Sequence, residues 1–286
     1  YHDLYLKTDV LLLCDIFENF RKVCLNNYKL DPAHYFSSPG LAWDAMLKKT
    51  GVVLELMTER ELHDIVDKGI SGGICCISKK YAEANNKYLS NFDASKPSSY
   101  IIYLDMNNLY GTAMIQPLPE GDFKFIPIES TTLDKILSTD DDSATGYIFE
   151  VDLDYPSNIH DLHNGYPLCP ENVTINQEDL SPYTVELSEK LNVTCGKSKK
   201  LVCNLKNKQR YTVHYTNLKL YCSLGMKVSK LHRVISFRQS KWLKPYIDFN
   251  TQKRKESKNE FEKNFYKLMN NSVFGKTMEN IRKHMN

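Results

Sequence analysis

The chain has 286 residues, 42% of them hydrophobic, and sets 37 Lys and Arg against 35 Asp and Glu. That length can bury a sizeable core in one large domain or parts of two. No apolar run approaches the roughly 20 residues needed to span a bilayer, and from the charges in the opening residues no secretory leader is expected there. The eight cysteines form no Cys-x-x-Cys pair and read as reduced thiols, many of them buried; the sequons at Asn172 and Asn192 read as chance matches. The chain opens at Tyr1 without an initiator methionine and closes inside a helix-like run, Asn280 to His284, so both ends are expected to be cut from something longer.

The net charge of +2 hides a polarity. Residues 197–286 hold 22 Lys and Arg against 5 Asp and Glu, which leaves 15 against 30 for residues 1–196. Within the acidic part, residues 120–190 carry 16 acidic and 3 basic side chains. The basic third interleaves Tyr211, Tyr215, Tyr221, Trp242, Tyr246 and Phe249, a combination that suits a surface following a phosphate backbone.

Taken in chain order, residues 1–28 predict a helix, because Tyr5, Asp9, Leu12, Leu13, Ile16, Phe17 and Phe20 keep the spacing of one face. A second helix is expected from Ser38 as N-cap, with Pro39 at its first position, to about Lys49. A capping box, Thr58 with Glu61, starts a third that ends at Gly69. Apolar Ile70–Ser78 and the β-favouring run Tyr100–Leu104 read as strands. Residues 130–145 read as a loop, Gly146–Tyr155 as a strand, and Leu201–Leu205 with Tyr211–Tyr215 as a hairpin. Helix returns at Asn217–Leu224, stopped by Gly225, and again from about Ser257. Strands and helices without strict alternation predict an α+β chain.

Two segments carry chemistry. Tyr103-Leu104-Asp105-Met106-Asn107-Asn108-Leu109-Tyr110-Gly111 places a carboxylate at the end of an apolar strand, where it could hold Mg²⁺ against an incoming polyphosphate, or simply cap the next turn. In Lys267-Leu268-Met269-Asn270-Asn271-Ser272-Val273-Phe274-Gly275-Lys276, a helix puts Lys267, Asn271 and Phe274 on one face. That face offers a point charge, an amide and an aromatic plate to a nucleoside triphosphate, although Phe274 could equally belong to a core. His160-x-x-His163 with Cys169 nearby lacks the second ligand pair a zinc site needs.

Together the two segments resemble the first and second polymerase motifs of family B DNA polymerases, Asp-x-x-Ser-Leu-Tyr-Pro and Lys-x-x-x-Asn-Ser-x-Tyr-Gly. The likeness runs over essentially the whole chain, including Leu41–Asp44, His163–Leu168 and Trp242–Tyr246. It points to the protein-primed branch of adenoviruses, linear plasmids, some phages and, most nearly, Maverick/Polinton transposons. The resemblance implies that Asp105 ligates metal with the Met106 carbonyl, and that Tyr110 beside Leu109 lies under the sugar and excludes a 2′-hydroxyl. It implies too that Lys267 holds the triphosphate, that Asn271 and Phe274 shape the nascent base-pair pocket, and that Ser272 and Gly275 face template and primer. Asn108, Gly111 and Phe274 depart from the family's serine, proline and tyrosine.

Tyr5-Leu6-Lys7-Thr8-Asp9 resembles the third motif of the 3′–5′ exonuclease, with Asp9 on metal and Tyr5 orienting the attacking water. Gly72-Gly73 resembles a Tyr-x-Gly-Gly loop at template phosphates, with Ile70 in place of the tyrosine. The resemblance divides the chain into the C-terminal part of an exonuclease domain and connector (1–68), palm (69–119), a terminal-protein insertion (120–225), palm return (226–252) and fingers helices (253–286). The fold it implies is a partial family B polymerase with an antiparallel palm sheet.

Two-metal phosphoryl transfer needs carboxylates on both flanks of the metal pair. The family's later motif, Tyr-x-Asp-Thr-Asp-Ser, is not present, and neither are the first two exonuclease motifs. The expected function is therefore DNA-directed DNA polymerisation by a longer parent, with Mg²⁺, deoxynucleoside triphosphates, a primed DNA template and a priming terminal protein as partners. The 286 residues alone are expected to be inactive. A catalytically dead transposon relic that binds nucleic acid or terminal protein is the alternative, and a stand-alone nuclease fails on its missing carboxylates. Nuclear action follows from the transposon resemblance, not from a targeting signal.

Overall fold

The computed structural model describes residues 1–129, 132–193 and 199–280. Cys195, one of the eight cysteines, and the closing run from Ile281 onward lie outside the described residues. The helices are α1 (His2–Tyr28), α2 (Ser38–Thr50), α3 (Arg60–Gly69), α4 (Leu109–Met114), α5 (Thr132–Leu137), α6 (His160–His163), α7 (Pro182–Lys190), α8 (Tyr215–Ser223), α9 (Lys244–Glu256) and α10 (Glu260–Thr277). The strands are β1 (Leu118–Phe125), β2 (Thr145–Asp154), β3 (Glu171–Thr174), β4 (Lys199–Val202), β5 (Lys208–His214) and β6 (Lys227–Ser240). Four strands form one antiparallel sheet in the order β1-β6-β2-β5, and β3 pairs with β4 in a separate ribbon. The chain is α+β, as its pattern predicts.

The four-stranded sheet is buried on both faces. Along β2, Phe149, Val151 and Leu153 alternate onto one face, where Tyr215 and Leu218 of α8 cover them. On the other face Ile148, Ile235 and Phe237 meet Leu62 and Ile65 of α3. A second core is helical: the C-terminal turns of α1, with α2, α4, α9 and α10, enclose Cys24, Tyr28, Met46, Met114, Tyr246, Met269 and Val273. At the other end of α1 the apolar stripe finds no cover, and Leu4, Val10, Leu13 and Ile16 are exposed.

Several expectations are corrected. Tyr100–Leu104 is not a strand: it runs exposed, Tyr103 at 93%, and no strand among the described residues pairs with it. β-Propensity expresses itself only where a neighbour supplies ladder and packing. Ile70–Ser78 is irregular for the same reason. The expected hairpin is split, since β4 pairs with β3 whereas β5 pairs with β2. A short helix, α5, begins within the expected 130–145 loop. Ser37, not Ser38, stands at the N-cap position of α2 and makes no side-chain capping bond, and α3 begins at Arg60 without a side-chain cap, so the Thr58–Glu61 box does not close. The last helix starts at Glu260, capped by Asn259, whose side chain accepts from Glu262 N; the preceding helical stretch is a separate element, α9.

The charge polarity is resolved inside the fold. Acidic β2 lies between basic β5 and β6, so Glu150, fully buried at its side chain, takes Arg233 at 2.7 Å and Arg210 at 3.5 Å. Burial opposes the Glu150 carboxylate, yet Arg233, Arg210 and Lys68 together hold its pKa below the usual value. Lys206 meets Asp179, Lys208 meets Glu171, Lys219 meets Asp141, Arg238 meets Glu120 and Lys241 meets Asp142. Much of the basic third therefore balances the acidic segment rather than forming a free surface.

Candidate nucleotide site

The two polymerase-like segments meet. The rings of Tyr110 and Phe274 stack with centroids 4.3 Å apart and planes 11° from parallel. Below them Met114 of α4 packs among Met269 and Val273 of α10, which fixes one helix on the other. Lys267, Asn271 and Phe274 share a stripe of α10, as their spacing requires, and Lys267 sits about 10 Å along the axis from Phe274. Lys267 is exposed and forms no ion pair among the described residues.

A buried polar chain sets the rotation of α10. Tyr28 Oη donates to Asn250 Oδ1 at 2.6 Å, and Asn250 Nδ2 donates to Asn270 Oδ1 at 2.8 Å. Tyr246 Oη adds a bond to the Met269 carbonyl at 3.3 Å. All four side chains are buried, so breaking one bond would strand a polar group at a cost of about 1–3 kcal/mol. With Asn270 and Met269 turned inward, Lys267 and Asn271 face outward.

The turn into α4 has its own device. Asn108 adopts left-handed backbone angles, φ 53° and ψ 47°, which asparagine tolerates better than most residues. Its carbonyl accepts from Thr112 N at 2.9 Å, and its side chain lies where a Cβ on Gly111 would come within 2.2 Å of Nδ2. The departures at 108 and 111 are therefore one feature: the asparagine occupies space that only glycine leaves open.

The remaining expected residues are placed less closely. Asp105 and Met106 are exposed on the irregular segment before Asn108, with no hydrogen bond or ion pair to either among the described residues. Leu109, more than half exposed, opens α4. Ser272 is buried within α10 rather than displayed, whereas Gly275 is exposed with open space around its Cα. Gly72 and Gly73 are exposed, and Gly73 takes φ +81°, which only glycine adopts readily. Tyr5 and Asp9 lie on the exposed part of α1, where Tyr5 stacks on Tyr1; among the described residues no hydrogen bond or ion pair joins either to Asp105. Among the described residues no group of three or more His, Cys, Asp and Glu is arranged to hold a metal.

The histidine pair has a structural role. His163 Nδ1 lies 2.9 Å from the buried Tyr155 hydroxyl, which also accepts from Leu168 N, and His160 Nε2 lies 3.0 Å from the Tyr155 carbonyl. Burial pushes the Cys169 thiol up to about 12, so it stays protonated and inert.

The polymerase of phage phi29 in an orthorhombic crystal form shares 14% identity at a TM-score of 0.49, matching 86% of this chain and 37% of its own. The same enzyme complexed with primer-template DNA gives 13% identity and a TM-score of 0.46, over 85% of this chain and 35% of its own. The chain thus spans little more than a third of those polymerases. No curated protein matches it in sequence. No helix among the described residues is long and apolar enough to cross a membrane. The family model for DNA polymerase type B, organellar and viral, matches residues 3–284. This chain belongs to that family.

Proposed function

We propose that the chain supplies the first catalytic carboxylate and the nucleotide-holding helix of a DNA-directed DNA polymerase. The observation that supports this most directly is the Tyr110–Phe274 stack, which brings residues 164 positions apart in sequence into one aromatic floor. On this reading Lys267 meets the triphosphate as a point charge, Asn271 and Phe274 face the base, and Tyr110 lies under the sugar and selects deoxynucleotides. Primed DNA passes over this floor, and initiation uses a protein primer on a transposon or virus-like element in the nucleus.

The oxygen donors of Asp105 and the Met106 carbonyl suit Mg²⁺, which binds through one or two carboxylates plus substrate phosphates. They fit a share of such a site, not a whole one. When bound, the ion would neutralise charge on the reacting phosphate oxygens. Asp9 and Tyr5 are the corresponding share of a vestigial 3′–5′ exonuclease.

Isothermal titration with a deoxynucleoside triphosphate and with its ribonucleotide tests the reading. Binding that favours the deoxy form, and that weakens about tenfold in Lys267→Gln, is expected. The 286 residues should incorporate no nucleotide on a primed template, since the second flank of carboxylates is missing. Template-directed extension by them would overturn that division, and unchanged affinity in Lys267→Gln would remove the helix from the site.

A further inference from the structure

Once the ion pairs across the sheet are set aside, the uncompensated positive charge gathers elsewhere. A groove of about 540 Å³ lies where α1, α2 and α9 converge, lined by Lys29, Lys48, Lys49 and Lys253, with Asn26 and Phe249 among the other lining residues and no carboxylate. Lys29, Lys48 and Lys49 form no ion pair among the described residues, and Lys253 reaches only Glu256, at 3.6 Å. Lysines near helix C-termini answer in part to the carbonyls there, and Lys48 Nζ does donate to the Lys29 carbonyl at 2.9 Å. One such bond does not account for four ammonium groups around one hollow.

We propose that this groove binds the phosphate backbone of single-stranded DNA. Two of its cations are already held. Lys48 is tied to the chain turn at Lys29, and Lys49 Nζ stands 3.8 Å over the Phe249 ring. A strand entering the groove meets preset charges, and its phosphates relieve the repulsion between them. The groove is open rather than enclosed, as suits a chain-like ligand better than a small anion. Tyr28, on the groove wall, begins the buried chain through Asn250 to Asn270, so the groove backs onto the helix that carries Lys267. The choice of DNA over another polyanion rests on the polymerase reading.

Fluorescence anisotropy with a labelled single-stranded oligodeoxynucleotide, over a salt series, tests the groove. In the triple variant Lys29→Gln/Lys48→Gln/Lys49→Gln, affinity should fall by roughly tenfold or more near 0.1 M salt. The slope of log K against log salt should flatten by about 2, three contacts at roughly 0.7 each. Lys244→Gln/Lys263→Gln, which removes ammonium groups already paired to Asp248 and Glu260, should change neither by much. Thermal melts establish that both variants fold. An unchanged slope in the triple variant, an equal loss in the paired-lysine control, no binding by the wild-type chain, or the same lysine dependence for polyglutamate but not DNA would each overturn the proposal. None of these outcomes touches the Lys267 titration, on which the polymerase reading stands separately.

Discussion

Asn108 separates two regions that differ in what holds them. Beyond it, Tyr110 to Met114 lies on α10 through a ring stack and a shared methionine core. Before it, residues 70–107 have no helix or strand, and Ile101, Ile102, Tyr103 and Leu104 are all exposed. That segment is organised locally instead: Asn85 bonds Asp93, Lys96 and Pro97, and Asn86 reaches the Ser99 carbonyl. The contrast teaches that the pieces of the proposed site are not secured alike. Tyr110 and Phe274 are fixed by packing within this chain, while the carboxylate Asp105 has no packing partner of its own among the described residues.

The comparison is broken most forcefully from the packed side. Met269→Ala, which empties part of the helical core, should cost about 2–5 kcal/mol in chemical denaturation, whereas Ile102→Ala should stay within about 0.5 kcal/mol. Comparable losses from both would erase the distinction.

Acid probes the packed body next. Burial holds the His214 imidazole down at about 4, against about 6.5 in an unfolded chain. The unfolded state therefore binds the extra proton first as pH falls, so stability is full above about 6.5 and is lost toward pH 4, by up to about 3 kcal/mol. Hydrogen exchange at pH 7 and pH 5 should show protection declining in β5 while residues 70–107 remain poorly protected at both. In His214→Gln the decline should be shallower.

The smallest effect falls on the boundary itself. Alanine in place of a helical glycine ordinarily stabilises by about 1 kcal/mol, but Gly111→Ala should destabilise by a similar amount, because the new methyl meets the Asn108 side chain. Asn108→Ser added to it should restore most of the loss in thermal melts. A stabilising Gly111→Ala would mean that Asn108 yields freely.

What the sequence made legible follows from what its patterns measure. The helix over residues 1–28, the strand ending at Asp154 and the helix stopped at Gly225, with φ +102°, each carry a local period or breaker, and each is present. β6 escaped because its polar positions include His232, Arg233 and Arg238, which pair across the sheet with Asp152, Glu150 and Glu120; alternation scored on hydrophobicity does not see a ladder of charges. β1 escaped because Pro119 and Gly121 interrupt it, and its register slips on either side of Gly121. Conversely, Tyr100–Leu104 looked like a strand because propensity is local and a partner is not. Of the site, the Lys267, Asn271 and Phe274 face was legible from helical spacing, but its contact with Tyr110 was not. The lysine groove was hidden altogether, since Lys253 lies more than two hundred residues from Lys49.

The stack of Tyr110 on Phe274 also has a price in affinity. Two rings 4.3 Å apart leave no gap between them for a third group, so a nucleotide that needs one of the two facing sides, rather than an outer one, must first part them. Aromatic pairs hold together by about 0.5–1.5 kcal/mol beyond their buried area. At about 1 kcal/mol, only one molecule in roughly six is open at a given moment, and apparent affinity falls by a similar factor. A substitution that merely loosens the pair would then tighten nucleotide binding, the reverse of what removing a contact residue ordinarily does.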